Sequence, residues 1–273
     1  MSNTPSPIRS EMVTVTPAMA IRWLENANIR NRKLSQNHIN KLARDIKNGQ
    51  WKLTHAGIAF DPNGVLLDGQ HRLWAIVESE TPIDLMVFYN VPNEALMAID
   101  CGKSRNVVDV LKLSNKDGYI TSSHTSTLRA LLGGYGAAPT LTQRETSEQL
   151  ANFRSAIDFA VKHLSSCRFR GICNAATRAV IARAWYSADP EKLIHFCDIL
   201  TSGIVGHTPA ATVLVSLQQY LLTTRDSSSA AKRERYGKTE RALKAFLNAE
   251  ALSKLVTSNS ELFPLPQDAR KSA

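Results

Sequence analysis

The hydrophobic period of this chain changes near residue 118, and that change constrains the fold more than any other feature. Before it, short apolar runs of strand type alternate with amphipathic helical stretches. "MVTV" (12–15), "GIAFD" and "VLLDG" read as strands, the last two flanking the turn tripeptide Pro62-Asn63-Gly64. "IDLMVFYNV" (83–91) is almost continuously apolar, which predicts a strand buried on both faces. Between them lie helical segments. Thr16 is placed to cap one with Pro17 at its first position, and Ile39, Leu42, Ala43 and Ile46 mark the buried face of a second, stopped by Gly49. A third runs through "QHRLWAIVESE", and Pro92 opens a short one through "NEALMAI".

From about residue 119 only the helical period remains, in five stretches from "RETSEQLANFRSAIDFAVKHL" to "AAKRERYGKTERALKAFLNAE". The predicted fold class is therefore α+β: a small mixed-sheet domain with helices over residues 1–118, a linker at "SNKDGY", then an all-α helical domain over 119–273 with a frayed, disordered tail.

With 43% hydrophobic and 21% charged residues in 273, the chain can bury a real core. No window approaches the roughly 18 uninterrupted apolar residues of a membrane span, and the polar opening "MSNTPSPIRSEM" has no apolar leader region, so a cytoplasmic protein without a membrane partner is expected. The four cysteines, Cys101, Cys167, Cys173 and Cys197, show no paired spacing and read as reduced thiols. The formal charge of +9 is uneven: Lys and Arg outnumber Asp and Glu by 14 to 12 up to residue 118 and by 19 to 12 beyond it. A basic excess in the helical half favours an anionic partner, with DNA contacting residues 225–245 through Lys232, Arg233, Arg235, Lys238, Arg241 and Lys244. A solvated helix is the alternative. No helix-turn-helix signature supports sequence-specific reading of DNA.

Chemistry concentrates at the boundary between a predicted strand and a predicted helix, Asp68-Gly69-Gln70-His71-Arg72. A glycine there lets backbone N–H groups face outward, and the first helical turn adds unpaired donors, a geometry that attracts phosphate. Arg72 can supply a bidentate contact to the same oxygens, Gln70 and His71 can bond a phosphate, sugar or base, and Asp68 suits ribose hydroxyls or a metal-bound water. The competing reading is a helix cap by Asp68, with Gly69 easing the turn and the rest solvated.

These motifs carry a family resemblance. "NRKLSQNHINKLARDIKNGQW", "GIAFDPNGVLLDGQHRLWAIVES", "IDLMVFYNVP" and "IDCGKSR" together resemble the ParB/sulfiredoxin superfamily, in particular a group of phage and bacterial proteins that carry the LDGQHRL segment. The match spans roughly residues 12–113. It implies a strand-to-helix turn holding the phosphates of a nucleoside triphosphate, with or without Mg2+, at Gly69, Gln70, His71 and Arg72, with phage or mobile-element ancestry. Sulfiredoxins carry Gly-Cys-His-Arg at this turn and ParB proteins Gly-Glu-Arg-Arg. Gln70 departs from both: an amide forms no covalent sulfur adduct and is no general base.

Lys103 and Arg105 in "IDCGKSRNV" are further phosphate candidates, on the expectation that the strand at 83–91 lies beside the one carrying Leu66 and Leu67; Asp100 is the candidate magnesium ligand. An ordinary loop of solvated charges is the alternative. Asn31 and Arg32 enter as ligands through the resemblance alone. Three functions follow: nucleotide binding; an NTP-dependent phosphotransferase or hydrolase with Asp68 and Gln70 as the candidate catalytic positions; or a DNA-binding or scaffolding protein without nucleotide chemistry. Trp51 and Trp74 read as core residues.

Overall fold

Thr16 fixes the first strand-to-helix transition: its Oγ1 accepts from the Met19 N–H at 3.2 Å, and Pro17 occupies a position whose N–H a helix does not need. Strand β1 (Arg9–Val15) ends there and α1 (Pro17–Ala27) begins. The computed structural model of the protein describes residues 7–29, 31–97, 107–114, 120–165, 169, 171–258 and 260–266. It divides into two compact units, Met1–Ser104 and Arg105–Ala273.

In the first unit, α2 (Gln36–Lys47) buries Ile39, Ala43 and Ile46 on one stripe, as its period dictates. β2 (Ile58–Phe60) and β3 (Leu66–Asp68) form an antiparallel hairpin. Its turn is organised by buried Asp61, whose Oδ1 accepts from the N–H groups of Asn63 and Val65, both at 2.8 Å. Burial works against that carboxylate, but these bonds outweigh it and hold its pKa below the ordinary value. α3 (Gln70–Ser79) follows β3 directly, and β4 (Ile83–Tyr89) completes a four-stranded sheet in the order β1-β4-β2-β3. β4 is antiparallel to β1 and parallel to β2, so the sheet is mixed. A 3₁₀ turn, Asn93–Met97, stands where the short helix after Pro92 was expected. The core between sheet and helices is built on Ile58, Phe60, Leu73, Ile76, Leu85 and Val87, with Trp23 edge-on to Phe60.

Two expectations are corrected here. β4 is not buried on both faces: Ile83, Leu85 and Val87 are buried, whereas Asp84 between them is exposed, because helices cover one side of the strand. Trp51 is half-buried against this core and donates from Nε1 to the Asp84 carbonyl at 3.3 Å, but Trp74 is 36% exposed.

Helices are the only regular elements among the described residues of the second unit. It comprises α4 (Val107–Ser114), α5 (Ser122–Gly133), α6 (Gln143–Asn152), α7 (Arg154–His163), α8 (Ala175–Ala184), α9 (Pro190–Ser202), α10 (Ala211–Thr223) and α11 (Ser229–Leu247). The α+β class holds. Leu111 of α4 is buried in the helical core, so the division between units falls before α4. The stretch read as one helix from Arg144 breaks at Phe153, whose ring is buried while its backbone leaves helical geometry. α8 is the hub: every residue from Ala176 to Ala184 is buried, and it packs on α5, α7 and α11. Its two arginines find partners within the unit. Arg178 bonds Thr127 Oγ1 and the Cys173 carbonyl; Arg183 bonds the Leu131 carbonyl and pairs with Glu261 at 3.1 Å.

The tail is not frayed through residue 266. Phe263 and Leu265 are buried, and Glu240 on α11 accepts from the N–H groups of Leu262 and Phe263 at 2.8 and 3.1 Å. Cys173 and Cys197 are in no disulfide, and burial pushes the Cys197 thiol up to about 12. Among the described residues no helix is long and apolar enough to cross a membrane.

Candidate functional site

The turn between β3 and α3 requires glycine twice over. Gly69 has φ +104°, a left-handed conformation, and a Cβ there would lie 2.4 Å from Ile58 Cδ1. As the N-cap of α3 it offers no side chain to the helix end. Leu73 N–H bonds the Gly69 carbonyl at 3.0 Å, while the N–H groups of Gln70, His71 and Arg72 have no acceptor among the described residues.

The side chains of the same pentapeptide are engaged with their surroundings. Asp68 Oδ1 accepts from the Gly69 N–H at 2.7 Å, and Oδ2 pairs with Arg72 Nη2, also at 2.7 Å. That Nη2 donates as well to the Gly57 carbonyl at 2.6 Å. Gln70, 4% exposed, donates from Nε2 to the Arg32 carbonyl at 2.8 Å. His71, 8% exposed, accepts from the Ser35 N–H at Nε2, 3.0 Å away. Asn31 donates to the Leu66 carbonyl at 2.9 Å and to Asn28 Oδ1 at 2.6 Å. Three side chains thus lash residues 31–35 to the junction, and Asn31 and Arg32 meet Gly69-Gln70-His71-Arg72 in space.

An accepting Nε2 makes His71 the neutral Nδ1–H form. Burial lowers its pKa first, then the charges of Arg32 and Arg72, with Asp68 opposing. The ring of His38, in the first turn of α2, stands edge-on to it with centroids 5.3 Å apart. His38 is lowered too, by burial and then by His71, Lys41, Arg32 and Arg72. The N-termini of α2 and α3 therefore meet through Ser35, His38 and His71, and neither end carries a side-chain cap or a first-turn carboxylate. Two positive helix ends add to three cationic side chains. Asp68, paired with Arg72, offsets part of this positive charge.

Several expectations are amended by this geometry. Asp68 is not the cap of α3; its position before a left-handed Gly69 turns the carboxylate to its neighbour's N–H and to Arg72. Each of its oxygens accepts one hydrogen bond, which fixes the carboxylate against the turn. Gln70 is a buried tether. β2 lies between β4 and β3, so the strand at 83–89 is not the neighbour of the one carrying Leu66 and Leu67. Asp100, Lys103 and Arg105 lie outside the described residues, as do Cys101 and Cys167. Among those described, no group of His, Cys, Asp and Glu is placed to hold a metal ion. Sequence reading missed His38, Lys41 and the Gly57 carbonyl. Only the position of His38, directly before Ile39 at the start of the predicted second helix, carried a signal.

The basic segment is less free than its composition suggests. Lys238 pairs with Glu234 at 2.8 Å and covers the Tyr220 ring, Arg241 pairs with Glu250 at 3.1 Å, and Lys244 lies over Phe263. Arg235 donates to the carbonyls of Thr224 and Asp226. Lys232 and Arg233 remain exposed on the first turns of α11.

Comparison with protein-family models, with curated proteins and with solved structures finds no match to this chain.

Proposed function

We propose that the first unit binds the phosphates of a nucleotide at the meeting point of α2 and α3, and that this is a binding function without turnover by Asp68. One observation carries the reading: two uncapped helix N-termini, free of first-turn carboxylates, converge on a corner shared with Arg32, Arg72 and Lys41, where burial first and neighbouring positive charge second depress both histidines. Unpaired N–H groups at Gln70, His71 and Arg72 supply directional donors, and the guanidiniums supply charge-assisted bonds. The resemblance of the LDGQHRL segment to ParB/sulfiredoxin nucleotide sites points to the same ligand class. The engagement of Asp68 by Gly69 and Arg72 speaks against a general-base role.

Calorimetric titration of the full chain with ATP, GTP, CTP and UTP, each with and without magnesium, tests the proposal. At least one should bind, with affinity about tenfold weaker in Arg32→Ala, the exposed member of the cluster, and in Lys41→Ala. Negligible heats throughout, or affinities equal to wild type in both variants, would remove it. DNA association is a separate, secondary proposal that falls to Lys232 and Arg233. Salt-dependent duplex binding whose slope diminishes by about two in Lys232→Ala/Arg233→Ala supports it, and an unchanged slope counts against it.

A further inference from the structure

A cavity of about 370 Å³ opens in the helical unit where the loop into α8 passes the end of α10 and the first turns of α11. That volume falls among small-molecule sites, which run from about 300 to 1,000 Å³. We infer that it is a binding site for a small organic phosphomonoester, distinct from the junction of the first unit.

The chemistry of the walls points to the ligand. Arg225 and Arg235 bring two guanidiniums to the cavity, and Leu221 and Leu222 give it an apolar side. Arg235 is anchored across the α10–α11 turn by its bonds to the Thr224 and Asp226 carbonyls. Arg225 is exposed, and no hydrogen bond or ion pair engages its side chain among the described residues. The carboxylates that sense Arg235 are occupied elsewhere. Asp226 accepts from the N–H and Oγ of Ser228, both at 2.8 Å, and Glu234 pairs with Lys238. Asp226 and Glu234 offset part of the charge of Arg235, so Arg225 supplies the unopposed charge at the cavity, and the two planar guanidinium forks together suit phosphate oxygens bidentately. The leucines require the rest of the ligand to be compact and apolar or planar.

The loop into α8 packs tightly beside the apolar side. Gly171 has φ +107°, and a Cβ there would stand 2.5 Å from the Leu221 carbonyl oxygen, so the loop is held hard against the last turn of α10. Asn174 spends its side chain capping α8 through the N–H groups of Ala176 and Thr177. It shapes the cavity without being free to bind. A recess bounded by apolar and cationic walls selects a small ligand over a duplex, which needs a stripe of cations on an open face.

The test is calorimetric titration of the full chain with phenyl phosphate, inorganic phosphate, phenol and duplex DNA. Phenyl phosphate should bind more tightly than inorganic phosphate, and phenol not at all. Arg225→Ala, at an exposed position that leaves the fold intact by circular dichroism, should weaken phenyl phosphate about tenfold, with Arg225→Lys intermediate. Leu222→Asp should erase the preference for phenyl phosphate over inorganic phosphate. Arg32→Ala, in the first unit, should change nothing. The inference is overturned by absent phenyl phosphate binding, by affinity unaltered in Arg225→Ala, or by an equal loss in Arg32→Ala, which would place the ligand at the junction. DNA binding that depends on Arg225 without any phenyl phosphate binding would also overturn it, and would assign the cavity to the nucleic-acid backbone.

Discussion

Arg72 Nη2 sits between two acceptors from different parts of the first unit, the Asp68 carboxylate at 2.7 Å and the Gly57 carbonyl at 2.6 Å. One guanidinium nitrogen therefore joins the start of α3 to the segment entering β2. The same residue that adds positive charge to the corner also fastens the corner together.

Arg72→Ala is accordingly expected to destabilise the first unit by about 2 kcal/mol, since a bond to a charged group is lost and a carbonyl is left unpaired. Asp68→Asn, which keeps an acceptor oxygen, should cost about 1 kcal/mol. Urea unfolding with a probe on Trp23, Trp51 or Trp74 checks the order. A larger loss in Asp68→Asn than in Arg72→Ala would show that the carboxylate's bond to the Gly69 N–H dominates.

Gly69→Ala combines backbone strain at φ +104° with a clash against Ile58 Cδ1. The expected cost is about 2–4 kcal/mol. Ile58→Val removes that atom at a cost of about 1 kcal/mol on its own, so Gly69→Ala should cost less in the Ile58→Val background than in wild type. Thermal melts of the four proteins in the cycle measure the coupling, and strict additivity would mean that backbone strain alone sets the cost.

His38 and His71 both lie below the ordinary 6.5, by burial first and then by neighbouring positive charge. A base depressed by folding stabilises the folded state above its unfolded pKa, and that contribution is lost as pH falls through the folded value. The first unit should thus weaken as pH drops below about 6.5, with protonation of His71 also removing the acceptor for the Ser35 N–H. Nuclear magnetic resonance of the imidazole nitrogens should report the neutral Nδ1–H form of His71 at pH 7. An ordinary titration of both rings near 6.5 would contradict the arrangement.

Glu240 gives the helical unit the opposite dependence. Burial raises its pKa to about 7 from 4.5, with the charge of Glu261 adding to the rise and bonds from Leu262 and Phe263 opposing it. An acid raised by folding contributes stability below 4.5 that is lost as pH climbs through about 7. Glu240→Gln, which retains an acceptor for the Leu262 and Phe263 N–H groups, should flatten the helical unit's stability between those values by about 2–3 kcal/mol. Denaturation followed at several pH values in both proteins reads this directly. Parallel profiles would show that the carboxyl does not titrate in that window.

Much of the fold was legible in local pattern. The period of Ile39, Ala43 and Ile46 marked α2, the Pro62-Asn63-Gly64 turn marked the β2–β3 hairpin, and Thr16-Pro17 marked the start of α1, because caps, turns and amphipathic stripes are written over a few residues. The break at Phe153 and the docking of Phe263 and Leu265 were not legible, since both depend on an apolar surface assembled from distant helices.

At the junction the chain by itself settled that a glycine must stand between strand and helix, with donors and a cation immediately after it. It did not settle what those side chains do. Gln70 and His71 lie next to one another in sequence, yet their partners, the Arg32 carbonyl and the Ser35 N–H, come from the loop ahead of α2, and that pairing exists only once α2 packs on α3. The meeting of two helix N-termini, and with it the positive field at His38 and His71, is likewise a product of packing. Local chemistry is encoded over a few neighbouring residues, whereas the charge and hydrogen-bond environment of a site is a sum over groups that only the tertiary structure brings within range.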